Sequence, residues 1–204
     1  MGAGIALEFR LRYPEMFNEY VELCKEKAIS IGKLWKYCSD GKVIINFPSK
    51  YDWRKPSRFK YIELGLQNFL DIYTEENITS AAFPVLGASK GGLSEKEVID
   101  LMKTYLSKCD IPIEIYRYNS RHKDDIFEDF KGRFLNTGTL QICKTTGLGK
   151  SYVEKVKSAL ENKHLRNLSA LGRVDGIGIV TLTKCFEFTR NRNAATETNW
   201  FGID

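Results

Sequence analysis

Apolar residues over the first 118 positions switch between two periods. KLWKYC (33–38) and KVIINFP (42–48) are short runs rich in β-branched and aromatic residues, joined by Ser39-Asp40-Gly41. They predict two strands around a turn. From about Pro56 the period lengthens. Ile62, Leu66, Phe69, Leu70 and Tyr73 fall on one helical face, with a proline near the first turn. AAFPV (81–85) predicts a short buried strand, followed by the glycine-rich stretch LGASKGGL (86–93). Ser94, with Glu97 three residues on, predicts a capping box opening a helix that carries Val98, Leu101, Met102, Tyr105 and Leu106. IPIEIYRY (111–118) closes the pattern as a further strand. At the front, Gly2-Ala3-Gly4 stands directly before a helical pattern (Ile5, Ala6, Phe9, Tyr13). This alternation predicts an α/β layered domain over residues 1–118. The polar stretch NSRHKDD (119–125) marks a boundary, and residues 119–204 read as a small all-α domain.

Composition sharpens this in a few places. A length of 204 residues fits one ordinary domain plus a small second one, or a single large one. A hydrophobic share of 43% with 12% aromatics supplies a core and excludes wholesale disorder. No run of about 18 apolar residues exists to span a membrane. The opening MGAGIALEFRLRYPE carries charges where a signal peptide would be apolar, so a cytoplasmic protein with no membrane partner is expected. The five cysteines form no CxxC pair, and neither histidine lies near one in sequence. The expectation is therefore no metal site, with reduced and mostly buried thiols. No cofactor is implied. From Asn119 onward 14 basic residues stand against 10 acidic ones, net +4; the remaining 17 and 16 give the first part only +1. That bias mildly favours a polyanion partner for the C-terminal part, although a solvated surface is the commoner explanation for so small an excess.

Three features carry candidate chemistry. Glycines at a helix start let backbone N–H groups approach a phosphate or ribose, as Gly2, Ala3, Gly4 and Ile5 would; they also open many ordinary helices. Leu86, Gly87, Ala88, Ser89, Lys90, Gly91 and Gly92 follow a buried-type strand, where loops of open α/β sheets wrap diphosphates. A plain turn is the other reading. Lys50, in NFPSKYDWR (46–54), lies just past a strand end. A lysine amine can attack a sugar's anomeric carbon when burial or nearby positive charge lowers its pKa, but most strand-end lysines are solvated charges.

The blocks GAGIALEFRLRYPEMFNEY, IINFPSKYDWRKPSRFKYIELGL and FPVLGASKGGLSEKEV, in this order and spacing, resemble the macro domain family. The resemblance covers about residues 1–118. It is to the branch that holds DNA ADP-ribosyl glycohydrolase antitoxins and the human terminal ADP-ribose glycohydrolase. It implies a mixed sheet flanked by helices that binds ADP-ribose. Gly2–Ile5 would lie around the distal ribose and Leu86–Gly92 around the diphosphate, with Lys50 as the catalytic lysine. The family's strand–helix–strand unit before the first glycine run has no counterpart here, so a domain lacking its first strands is expected. Ala88-Ser89-Lys90 departs from the Cys-Gly-Asn often found in relatives. The acidic residue that the human enzyme carries in this loop corresponds to Gly91, as in the DNA-directed branch. Trp53 and Arg54 would cover the ligand or contact DNA, or Trp53 would simply be packed.

In the C-terminal part, CKTTGLGKSYVEKVKSAL (143–160) and GRVDGIGIVTLTKCFEF (172–188) each place Gly-apolar-Gly before a helical stretch. They resemble a tandem helix-hairpin-helix module. In such modules backbone N–H groups at Gly147, Gly149, Gly176 and Gly178 would hold DNA phosphate, with Lys150 and Lys184 adding charge. Two helix-capping turns are the alternative. Three functions follow: a glycohydrolase removing ADP-ribose from DNA, an inactive ADP-ribose reader or DNA/protein-binding module, and an antitoxin inhibiting by contact. The implied partners are ADP-ribose or ADP-ribosylated DNA, and a DNA ADP-ribosyltransferase toxin.

Overall fold

A computed structural model describes residues 1–39, 41–119, 122 and 124–191. The chain divides into two compact units: Met1–Ala6 with Tyr13–Tyr118, and Leu7–Arg12 with the chain from Asn119 on.

In the first unit, β1 (Trp35–Ser39) pairs antiparallel with β2 (Lys42–Asn46), from Trp35 opposite Asn46 to Ser39 opposite Lys42. A second pair, β3 (Ala81–Pro84) and β4 (Ile113–Tyr116), is parallel, with Phe83 opposite Ile115. A parallel pair needs a crossover, and α4 (Glu95–Leu106) supplies it. The α/β class read from the alternation is observed, with the described strands in two separate pairs. α3 (Phe59–Ile72) and α4 bury Ile62, Leu66, Phe69, Val98, Met102 and Leu106 against Phe83 and Leu86. Phe69 meets Phe83 edge-on, ring centroids 5.0 Å apart. Each such side chain contributes about 1.5–3 kcal/mol on burial. The far end of the Phe47 ring lies against Gly65, which leaves room for it in α3.

Three local expectations are corrected. The helix expected from Pro56 begins at Phe59, because Arg58 is extended and the Ser57 amide donates to Gly91 O (2.9 Å). The first helix, α1 (Gly4–Arg12), stops before Tyr13, since Pro14 disfavours the helical conformation of the residue before it. The chain continues into α2 (Pro14–Lys25). Ser94 is the N-cap residue of α4, but its side chain makes no capping bond, so the capping box is not formed. The cysteines are not mostly buried either. Cys24 and Cys38 are exposed and Cys109 and Cys143 half-buried; only Cys185 is enclosed, and burial pushes its thiol up to about 12.

The second unit is helical: α5 (Asp125–Asn136), α6 (Thr139–Thr146), α7 (Lys150–Leu160), a 3-10 turn at Leu168–Arg173 and α8 (Ile179–Arg190). Asp124 caps α5 by accepting from the Ile126 amide (3.1 Å). Phe130, Phe134 and Phe188 form an aromatic cluster, with Phe134 and Phe188 centroids 5.3 Å apart. Arg133 stacks on Phe188 and donates to the carbonyls of Phe188, Thr189 and Asn191, closing the C-terminus of α8. Arg192 and Asn193 of the stretch FTRNRN (188–193) lie outside the described residues.

Candidate active site

Lys50 stands four residues past the end of β2, after Phe47 has anchored the chain on α3. It is half-buried, and its Nζ donates to the carbonyl of Lys90 at 2.7 Å. That carbonyl belongs to the glycine-rich loop after β3, forty residues away in sequence.

The loop is a tight one. Gly91 and Gly92 both donate to Ala88 O, Leu93 donates to Gly87 O (3.1 Å), and Ser89–Gly91 form a single 3-10 turn. With those amides engaged, the N–H groups of Ala88, Ser89 and Lys90 make no hydrogen bond to the described residues. A run of unpaired backbone donors is the kind of group that can meet phosphate oxygens. The side chains of Leu86 and Ala88 are buried in the domain, so these residues offer a ligand only backbone. Gly2, Ala3, Gly4 and Ile5 are exposed. A methyl on Gly4 would stand 3.8 Å from Cγ of Lys90, so the first glycine stretch borders the second. The fold thus brings Gly4, Lys50 and Lys90 together from three separate parts of the sequence.

Sequence reading missed Ser57. Its residue is only 4% exposed, and its Oγ is the one buried side-chain polar atom among the described residues without a hydrogen-bond partner. Leaving a buried hydroxyl unpaired costs about 1–3 kcal/mol. A serine in a polar stretch gives no periodic signal, so nothing in the sequence pointed to it.

Between Lys50 and Ser57 the chain forms an exposed turn. Tyr51 and Trp53 are 86% and 82% exposed, so Trp53 is not packed. Asp52 braces the turn: it accepts from the Arg54 amide (3.0 Å) and from both Nε and an Nη of its guanidinium (3.1 and 3.0 Å). These hydrogen bonds hold the Asp52 carboxyl below its ordinary range. The fork of Arg54 is therefore occupied, while Lys55 adds a weaker attraction to the same carboxylate and the Arg58 guanidinium lies over the Tyr61 ring. A hollow of about 120 Å³ lies beside the turn, lined by Tyr51, Asp52, Lys55, Pro56, Arg58 and Tyr61.

In the second unit, Gly147 ends α6 at φ +72° and Gly149 is the N-cap of α7. Gly176 at φ +75° and Gly178 precede α8 in the same way, after a 3-10 turn rather than a full helix. Leu148 and Ile177, the central residues of the two turns, are buried. Lys150 pairs with Glu154 (3.7 Å) and Lys184 with Glu187 (2.7 Å), which partly spends both charges. Lys155 was not foreseen: its ammonium lies directly over Gly176.

The sequence pattern of the macro domain family matches residues 1–102. The chain belongs to the macro domain family. The DNA ADP-ribosyl glycohydrolase of Mycobacterium tuberculosis (strain ATCC 25618 / H37Rv) is 43% identical over 121 residues, which cover 57% of this chain and 34% of that protein. A DNA ADP-ribosyl transferase-DNA ADP-ribosyl glycohydrolase fusion protein of Thermosipho africanus (strain H17ap60334) is 33% identical over 135 residues, 57% of this chain and 35% of that one. The chain thus spans about a third of the length of these relatives. Among solved structures, the macrodomain of Mycobacterium tuberculosis DarG superposes with a TM-score of 0.55 at 40% identity, covering 58% of this chain and 82% of that one. Thermosipho africanus DarTG in complex with ADP-ribose gives a TM-score of 0.55 at 30% identity, over 61% and 36%. The macro domain matched in these comparisons holds every residue of the site around Lys50.

Proposed function

We propose that this macro domain is an ADP-ribosyl glycohydrolase that removes ADP-ribose from DNA. The observation that carries the reading is the contact of the Lys50 amine with the glycine-rich loop, which sets a nucleophile beside a row of unpaired amides. Relatives that bear the name of this activity, and one structure holding ADP-ribose, support it.

In this scheme the amides of Ala88, Ser89 and Lys90 hold the diphosphate, and the Gly2–Ile5 stretch borders the distal ribose. Fixing the diphosphate fixes the anomeric carbon, so attack becomes effectively intramolecular. The Lys50 amine forms a bond to that carbon as the bond to the base breaks, and the proton it sheds passes to the departing base. Water then cleaves the sugar–lysine bond, freeing ADP-ribose and restoring the amine. Trp53 and Arg54 contact the DNA strand, joined by Tyr51: exposed aromatic rings interleaved with cations suit an unpaired strand.

The helical unit, residues 119–204, acts as a tandem helix-hairpin-helix module holding DNA phosphate at Gly147–Lys150 and Gly176–Gly178. A fusion of transferase and glycohydrolase in one relative supports a DNA ADP-ribosyltransferase toxin as partner, which makes this chain its antitoxin. Such a protein works in the cytoplasm, where its substrate lies. Among the described residues no helix is long and apolar enough to cross a membrane.

The test is hydrolysis of an ADP-ribosylated single-stranded oligonucleotide, with Lys50→Ala alongside. The expected result is release of ADP-ribose by the parent protein and a fall of about a hundredfold or more in the variant. Equal turnover by the two would remove Lys50 from the chemistry. Binding of ADP-ribose without turnover by the parent would leave a reader in place of an enzyme.

A further inference from the structure

Two consecutive carbonyls of the glycine-rich loop are held from the segment that follows β2. Lys90 O accepts from Lys50 Nζ at 2.7 Å, and Gly91 O accepts from the Ser57 amide at 2.9 Å. The Ser57 side chain sits directly under the same loop. A methyl on Gly91 would stand 2.6 Å from Ser57 Oγ, and one on Gly87 would stand 3.2 Å from Ser57 Cβ. The loop carries glycine at both points of closest approach, and the hydroxyl beneath them is buried and unpaired.

Alanine would fill that space without leaving a polar atom stranded. A hydroxyl there makes physical sense when its partner is supplied by another state of the site. We infer that Ser57 is a positioning residue whose hydroxyl gains its hydrogen bond only when a diphosphate occupies the loop. Seating two phosphates on the amides of Ala88–Lys90 re-seats the turn over Ser57, and the Ser57 O–H then donates into it. This locks the loop, and with it the Lys90 carbonyl that carries the Lys50 amine. The inference rests on the reading of residues 86–93 as the diphosphate site, and it adds how that site is held closed.

The prediction has an unusual sign. In the ligand-free full chain, Ser57→Ala should leave the melting temperature unchanged or raise it, because it removes an unpaired buried hydroxyl. The same variant should bind ADP-ribose about tenfold more weakly in titration calorimetry, the scale of one lost neutral hydrogen bond. Ser57→Cys, which keeps the volume but donates weakly, should behave like Ser57→Ala. ADP-ribose binding within twofold of the parent by Ser57→Ala overturns the inference. So does weaker binding accompanied by a matching loss of thermal stability, which would mark Ser57 as ordinary packing. If the parent chain itself gives no heat with millimolar ADP-ribose, the diphosphate reading fails and this inference falls with it.

Discussion

Lys50 and Lys90, forty residues apart, meet through a single hydrogen bond of 2.7 Å from the amine of one to the carbonyl of the other. The side chain of Lys90 plays no part in it. The contact uses a peptide carbonyl, so it depends on loop shape rather than on loop sequence.

Gly65 sets the approach to that contact. Its missing side chain is the space in which the Phe47 ring lies, three residues before Lys50. Gly65→Ala would place a methyl inside the ring's volume, and overpacking of this kind costs about 1–3 kcal/mol. Urea denaturation should show a lower midpoint with an unchanged slope. The Phe47→Leu, Gly65→Ala double variant should recover part of the loss. A double variant no better than Gly65→Ala would place the strain elsewhere.

The Asp52 brace is pH-dependent in a stated direction. Because its hydrogen bonds to Arg54 lower the Asp52 pKa, the brace is fully present above the carboxyl's unfolded value and is lost as pH falls through the lowered folded value. Side-chain NMR of Asp52 should show titration shifted to more acidic pH. In Arg54→Ala the midpoint should move back up toward an ordinary aspartate. An unmoved midpoint would separate Asp52 from Arg54.

The helical unit gives a prediction that does not depend on catalysis. If its hairpins hold phosphate, DNA binding by the full chain should weaken steeply with salt. Lys155, over Gly176, should matter more than Lys184, which is already paired with Glu187. Lys155→Ala should lower affinity at low salt and reduce the salt slope by about one phosphate contact. Lys184→Ala should change little. The reverse ranking, or binding indifferent to salt in both variants, would refute the hairpin assignment.

What the sequence determined by itself is local and periodic. The β-branched run in KVIINFP, the helical spacing from Ile62 to Tyr73 and the glycines of LGASKGGL each state a preference of the backbone or of one face. Those preferences survive in β2, α3 and the loop after β3. The sequence also marked Lys50, through a turn and its surrounding wording. Only the tertiary structure decided which carbonyl receives the Lys50 amine, that Ser57 is buried without a partner, that Trp53 is bare, and that Lys155 rather than Lys184 lies over the second hairpin. Apart from the exposure of Trp53, each of these depends on residues far apart in the chain being brought side by side. Their residue types (a serine among prolines and arginines, a lysine on a helix) are equally at home in solvent. No pattern along one strand of sequence can separate the two cases, because burial is a property of what packs above a residue and not of its neighbours.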